Sequence, residues 1–226
     1  MLTLARGCGS GWAARCALVV PMAACLASTA PAAPTANEIL RRALDLSAEV
    51  NDYTAQVQVR SNFAGAPDEM PSFTVYFKRP DKVSIKSKSL VIVPKEALTF
   101  GNLSKRIEQG AEIILVGTKT VNGVPLYTLK IKPKQGGGEE RVLVTIDGGR
   151  WTVHRMEVVE GQQTHLTFDW QHTLVGGRYW MPSVITCRAP NVPRADGGKG
   201  AEATVTFTGY QVNTGLSDSL FDSSRG

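Results

Sequence analysis

Cysteine is scarce and poorly placed for a covalent framework. Cys8, Cys16 and Cys25 fall in the first 25 residues, which leaves Cys187 alone in the rest of the 226-residue chain. A single thiol excludes a disulfide scaffold and a thiolate metal site. In the run Ser183-Val184-Ile185-Thr186-Cys187 it reads as a small buried or rim residue of a strand. Histidine is as sparse: His154, His165 and His172 are the only three. None belongs to an H-E-x-x-H pattern, and G-x-S-x-G and phosphate-cradling glycine loops are also missing. His165 and His172 are seven apart, so they fall on opposite faces of a strand. The glycine pairs Gly148-Gly149, Gly176-Gly177 and Gly197-Gly198 lie between strand-like runs and belong to turns, as does Asp147. No nucleophile, base and orienting group come together in the pattern, so no enzymatic activity, cofactor or metal is expected.

Long apolar runs are missing too, except one. Residues 16–27 (CALVVPMAACLA) form an apolar stretch preceded by Arg6 and Arg15 and followed by small residues. This is the pattern of a secretory signal, too short to span a bilayer. It divides the chain into a leader over 1–32 and a domain over 33–226, and it predicts export to the periplasm. Two processing routes stay open. Ala30-Pro31-Ala32 offers an A-x-A cleavage site, whereas Met22-Ala23-Ala24-Cys25 is a partial lipobox that would lipidate Cys25 and tether the product. Without Arg6 and Arg15 the net charge is about +3. Lys78, Lys86, Lys88, Lys130 and Lys132 stand singly on polar strand faces. A nucleic-acid surface needs a concentrated basic stripe with aromatic platforms, so nucleic acid is excluded as a partner.

What the chain does have is alternation. Over residues 72–88 (SFTVYFKRPDKVSIKSK), Phe73, Val75 and Phe77 alternate with polar residues, and Val83 and Ile85 do the same after an Arg79-Pro80-Asp81 turn. Each strand therefore has one apolar and one wet face. The same period recurs in 53–60 with Val57 and Val59, in 126–132 with Leu129 and Ile131, and in 164–175 with Phe168 and Trp170. About ten strands are predicted, including 112–119, 141–147, 151–159, 179–189 and 204–212, with a Pro/Gly loop over 191–200. Short turns, such as Asn122-Gly123, imply antiparallel neighbours. One helix stands out. Thr35-Ala36-Asn37-Glu38 reads as a capping box, and Ile39, Leu40, Ala43, Leu44, Ser47 and Val50 follow at helical spacing. Residues 95–109 are the least strand-like, with a helical turn around 103–107, and Leu220-Phe221 is a lone apolar pair in the tail.

These elements predict a mainly β fold with an α lid. A single large antiparallel sheet forms an incomplete barrel with one apolar face, and the N-terminal helix is too small to cover all of it. An apolar cavity should remain, of the kind that binds apolar ligands. The candidate lining residues are Val57, Val59, Phe73, Val75, Phe77, Val83, Ile85, Leu129, Ile131, Phe168 and Trp170. Trp151, Tyr179 and Trp180 are further aromatics that could line it or simply pack. Arg79 shares the parity of Phe77. Aimed inward it must find an acceptor, such as the carbonyls at a helix end; an exposed turn arginine is the alternative.

The signal, the helix and VYFKRPDKVSIK, followed by LYTLKIKP, VTIDGGRWTVHRMEV and FDW before GGRYWMPSVI, resemble the bacterial outer-membrane lipoprotein-sorting family, the LolA-like carriers. The resemblance implies a half-barrel closed by helices, with a cavity for the acyl chains of lipoproteins or other lipids. It implies an inner-membrane exporter and an outer-membrane receptor as partners, and a monomer. Arg79 of the K-R-P turn would bond to the lid and set opening and release, with Leu40 and Leu44 on the lid's apolar face. SLVIVPKEALTF stands where carriers have an aromatic-rich stretch, and Val83 and Ile85 where they often have aromatics. A sensor or binding module on the same half-barrel, engaging a protein partner, is the alternative reading.

Overall fold

A capping box starts α1 (Ala36–Ala48). In the computed structural model, which describes residues 33–87, 110–132 and 140–222, the Thr35 amide and hydroxyl donate to Glu38 Oε2 at 2.8 and 2.9 Å, and the Glu38 amide returns a bond to Thr35 Oγ1 at 3.3 Å. Two of the helix's orphan donors are thereby satisfied. The leader with Cys25, the segments 90–93, 95–109 and 135–138, and the side chain of Ser47 lie outside the described residues.

Ten strands follow: β1 (Asp52–Ser61), β2 (Phe73–Lys78), β3 (Lys82–Lys86), β4 (Glu112–Val121), β5 (Val124–Lys132), β6 (Glu140–Asp147), β7 (Thr152–Glu160), β8 (Gln163–Val175), β9 (Tyr179–Pro193) and β10 (Lys199–Val212). They form one antiparallel sheet in the order β3-β2-β1-β10-β9-β8-β7-β6-β5-β4. Every neighbouring pair in the sheet is a pair of successive strands, apart from β1 and β10, which join the two runs; there Val57 lies opposite Phe207 and Val59 opposite Val205. The two end strands, β3 and β4, do not pair with each other, so the sheet is an open half-barrel. Turn chemistry fixes the hairpins. Asn122 and Gly123, with φ of 50° and 79°, make the primed turn between β4 and β5, whose twist suits a hairpin.

Two boundaries differ from the sequence expectation. The loop expected over 191–200 is instead the end of a long β9–β10 ribbon. Pro190 and Pro193 argue against a strand because they lack a donor, but the ladder slips between Lys199 and Ala201, with Gly200 at φ 88°. The Arg194 amide donates to Gly198 O at 2.8 Å, and the Ala195 amide to Asn62 O at 2.8 Å, which fastens the tip. Trp151, expected to open a strand, sits in the turn before β7 at φ 54°, its amide bonded to Asp147 O at 2.7 Å.

The apolar face holds two clusters. In one, Ala55, Val57 and Val59 of β1 pack with Phe73, Val75, Val83, Ile185 and Phe207. In the other, Ile39 and Leu40 of α1 pack on Leu129, Ile131, Val142, Val144, Ile146 and Val153. Trp170 touches both. The main contacts of α1 are with β4, β6 and β7, so the helix lies on one half of the sheet. Each large side chain so buried stabilises the fold by about 1.5–3 kcal/mol. On the wet face, Arg155, Asp169, Arg188 and Glu202 form a charge ladder across β7 to β10, which contributes little because it is solvated. The tail turns into a short helix, α2 (Ser219–Asp222), whose Phe221 is buried beside β3.

Candidate functional site

The link after α1 is held at every carbonyl. Asn213 Nδ2 donates to Glu49 O at 2.9 Å. Arg79 Nε donates to Val50 O at 2.9 Å, and the Arg79 amide to Asn51 O at 2.8 Å. The Asn213 amide donates to Asp52 O at 2.9 Å. Arg79 comes from the β2–β3 turn and Asn213 from the residue after β10, so the two strands that flank β1 grip the link from both sides. Asn213 reaches it by adopting φ 57°, a left-handed conformation that asparagine tolerates. Its Oδ1 also accepts from the Asn51 amide at 2.7 Å. Below this, the buried Asp52 carboxylate accepts from the amides of Thr214, Gly215 and Leu216 at 2.9, 3.0 and 3.3 Å. Buried acceptors without such donors would be costly. Among the described residues no buried side-chain nitrogen or oxygen lacks a partner.

Beside this link, the C-terminal half of α1 overhangs a cleft with room for about 60 Å³. Leu40, Ala43, Leu44, Val50, Val153 and Pro182 give it an apolar lining, and Trp151, His172, Tyr179 and Trp180 form its aromatic side. Glu49 and Arg178 close the rim with an ion pair at 3.2 Å. His172 faces the cleft because it is in phase with Phe168 and Trp170 on β8. Burial, and after it the charge of Arg150, pushes its imidazole down to about 4, with Asp147 opposing. It is a neutral side chain at physiological pH. Three arginines stack on the cleft's aromatics: Arg42 lies 4.7 Å from the Trp151 ring centre, Arg150 4.5 Å from Trp180, and Arg178 5.2 Å from Tyr179.

The open sheet, its apolar face and the helix set against it match known structures. A DUF1329 family protein from Desulfovibrio piger superposes with a TM-score of 0.59 at 16% identity, covering 85% of this chain and 99% of that one. A LolA superfamily protein from Nitrosomonas europaea gives 0.54 at 11% identity, covering 84% and 98%. The fold is LolA-like. A domain from Vibrio parahaemolyticus described as outer-membrane lipoprotein-sorting gives 0.53 at 14% identity, covering 83% and 97%. No family model and no curated protein matches the sequence. At these identities the likeness speaks for the LolA-like fold.

Within that fold the sequence-predicted residues divide into groups. Val57, Val59, Phe73, Val75 and Val83 form the first cluster, with Phe77, Ile85, Phe168 and Trp170 against it. Leu40, Leu129 and Ile131 belong to the second, with Leu44 against it. Of all these, Leu40 and Leu44 line the cleft. Arg79 is not in the cleft, and its side chain bonds to the link beyond α1. Sequence reasoning missed His172, Arg178 and Glu49 at the rim. The parity of His172 with Trp170 was the available signal. Arg178 and Glu49 meet across 129 residues of chain, and no local pattern announces that. Cys187 is half-buried opposite Phe168, and burial pushes its thiol upward. Among the described residues no three His, Cys, Asp or Glu side chains are grouped to hold a metal ion.

Proposed function

We propose that this protein is a non-catalytic periplasmic binding protein for the acyl chains of lipoproteins or other lipids, which it holds between α1 and the apolar face of the half-barrel. The observation that carries the reading is the cleft under α1: its lining is apolar, and the helix above it is fastened by a few polar contacts at one end. About 60 Å³ is far below the roughly 300–1,000 Å³ of ligand pockets. Cargo therefore enters only as α1 lifts. Moving Ile39, Leu40 and Leu44 off the sheet costs about 5–9 kcal/mol if they are left in water. A palmitoyl chain taking their place returns about 12 kcal/mol at ~0.8 kcal/mol per methylene. The helix and the cargo compete for one surface, and that competition makes binding reversible.

The leader pattern over 1–32 supports a periplasmic site of action, and the names of the fold relatives support lipoprotein sorting as the process. In that process an inner-membrane exporter supplies the cargo and an outer-membrane receptor takes it. Mass spectrometry of natively purified protein, followed by transfer of a fluorescent dipalmitoyl lipopeptide between vesicles, tests the reading. A co-purifying acyl lipid and protein-dependent transfer are expected. Protein that is empty and does not accelerate transfer overturns it.

A further inference from the structure

The cleft combines an apolar lining with an asymmetric charge at its mouth. Arg42 and Arg150 lie on Trp151 and Trp180, and neither has a carboxylate within ion-pair distance among the described residues. Arg178 is paired with Glu49, and both are exposed enough to exchange partners. The acidic groups nearby are accounted for. The oxygen Oδ1 of Asp147 accepts the amides of Gly149 and Arg150 at 2.8 and 3.1 Å, and Glu38, one turn before Arg42 on α1, is bonded to Thr35 and attracted by Arg42 without forming an ion pair. His172, kept neutral by its burial, adds a polar atom without adding charge. Two guanidinium groups are therefore left without an ion-pair partner among the described residues, each stacked on an indole ring that lines the apolar slot. Stacking on an aromatic face fixes the guanidinium plane and leaves its N–H edge free to donate.

We infer that this mouth is a head-group seat, and that the cleft selects amphiphiles whose alkyl chain ends in an anionic phosphate head. The chain runs inward along Leu44 and Val153, and the phosphate meets Arg150 on the sheet side, with Arg42 reaching it from α1 as the helix settles over the cargo. This rests on the proposed acyl-chain function and adds a head-group preference to it. Guanidinium–phosphate contacts at a partly solvated site are individually weak, and the two arginines together are expected to give about tenfold selectivity, about 1.4 kcal/mol.

The test compares palmitoyl lysophosphatidylglycerol with palmitoyl lysophosphatidylcholine, both below their micelle concentrations, on the delipidated full domain, with tryptophan fluorescence as readout. The anionic probe is expected to bind about tenfold tighter, and the gap should narrow as salt rises from 50 to 500 mM, because screening shortens the reach of the arginines. In the Arg42→Gln/Arg150→Gln protein the two affinities should converge. Both substitutions are on exposed positions, and an unchanged circular dichroism melt confirms folding. Equal affinities in the unaltered protein, or a preference that survives the double substitution, overturn the head-group seat and leave the acyl-chain reading standing. If neither probe nor a dipalmitoyl lipopeptide binds, the acyl-chain reading itself fails.

Discussion

Replacing Arg79 by leucine should loosen α1 without unfolding the sheet. The substitution removes the Nε–H bond to Val50 O at 2.9 Å but keeps the backbone bond from the Arg79 amide to Asn51 O. A hydrogen bond from a charged donor contributes about 1.5–3 kcal/mol. Arg79 is exposed, so the lower end applies. About 1.4 kcal/mol is a factor of ten in an equilibrium constant. The bond holds only the link after α1, so the loss should appear as local opening of the helix and not as global unfolding. Hydrogen exchange of the amides of residues 40–48 should accelerate about tenfold. The amides of β5 to β9 should change much less, and the melting temperature should fall by no more than about 3–6 °C, on ~2–4 °C per kcal/mol for a domain of this size. Lipopeptide release from loaded protein should become faster in step with the helix amides. Unchanged exchange in α1 would remove Arg79 from control of the helix. Equal acceleration in every strand would show that Arg79 supports the whole fold instead.

Two further perturbations follow from the same geometry. The imidazole of His172 is held down to about 4 by burial, against about 6.5 in an unfolded chain. The unfolded state therefore binds the proton first. This contribution is intact above about pH 6.5 and is lost as pH falls toward 4, up to about 3 kcal/mol in all. The difference in denaturant stability between the protein and its His172→Gln variant, followed from pH 7 to pH 4, should shift by that order, and a pH-independent difference would contradict it. Asp52→Asn points an amide N–H₂ at the backbone donors of Thr214, Gly215 and Leu216. At about 1–3 kcal/mol for a mismatched buried group, the melting temperature should drop by roughly 2–12 °C; a melt unchanged within error would mean that the carboxylate cluster does not hold the link.

Strand alternation carried most of the architecture in the sequence. A period of two is local, and Phe73, Val75 and Phe77 or Leu129 and Ile131 state their inner face without reference to the rest of the chain. The capping box of Thr35 and Glu38 is local in the same way. What was not legible depends on partners far apart. The β1–β10 pairing brings Asn213 to the link after α1, more than 160 residues from its partners, and nothing around Asn213 marks it. The ribbon over 191–200 was hidden because prolines disfavour a ladder locally, whereas the register slip at Gly200 removes the conflict. The position of the cleft was legible only in part. The alternation identified the apolar face, but which part of it stays unfilled depends on where α1 lies. The helix sits over β4, β6 and β7, and the cleft beneath its C-terminal half opens near Trp151 and Trp180, two aromatics that the local pattern could assign equally to a cavity or to packing.

The most direct test is a crystal structure of the protein with a dipalmitoyl lipopeptide. Alkyl chains should lie between Leu40 and Leu44 on one side and Val144 and Val153 on the other, with α1 displaced outward about its grip at residues 49–52. Lipid bound elsewhere, or α1 still seated on the second cluster at saturating lipopeptide, would contradict the account.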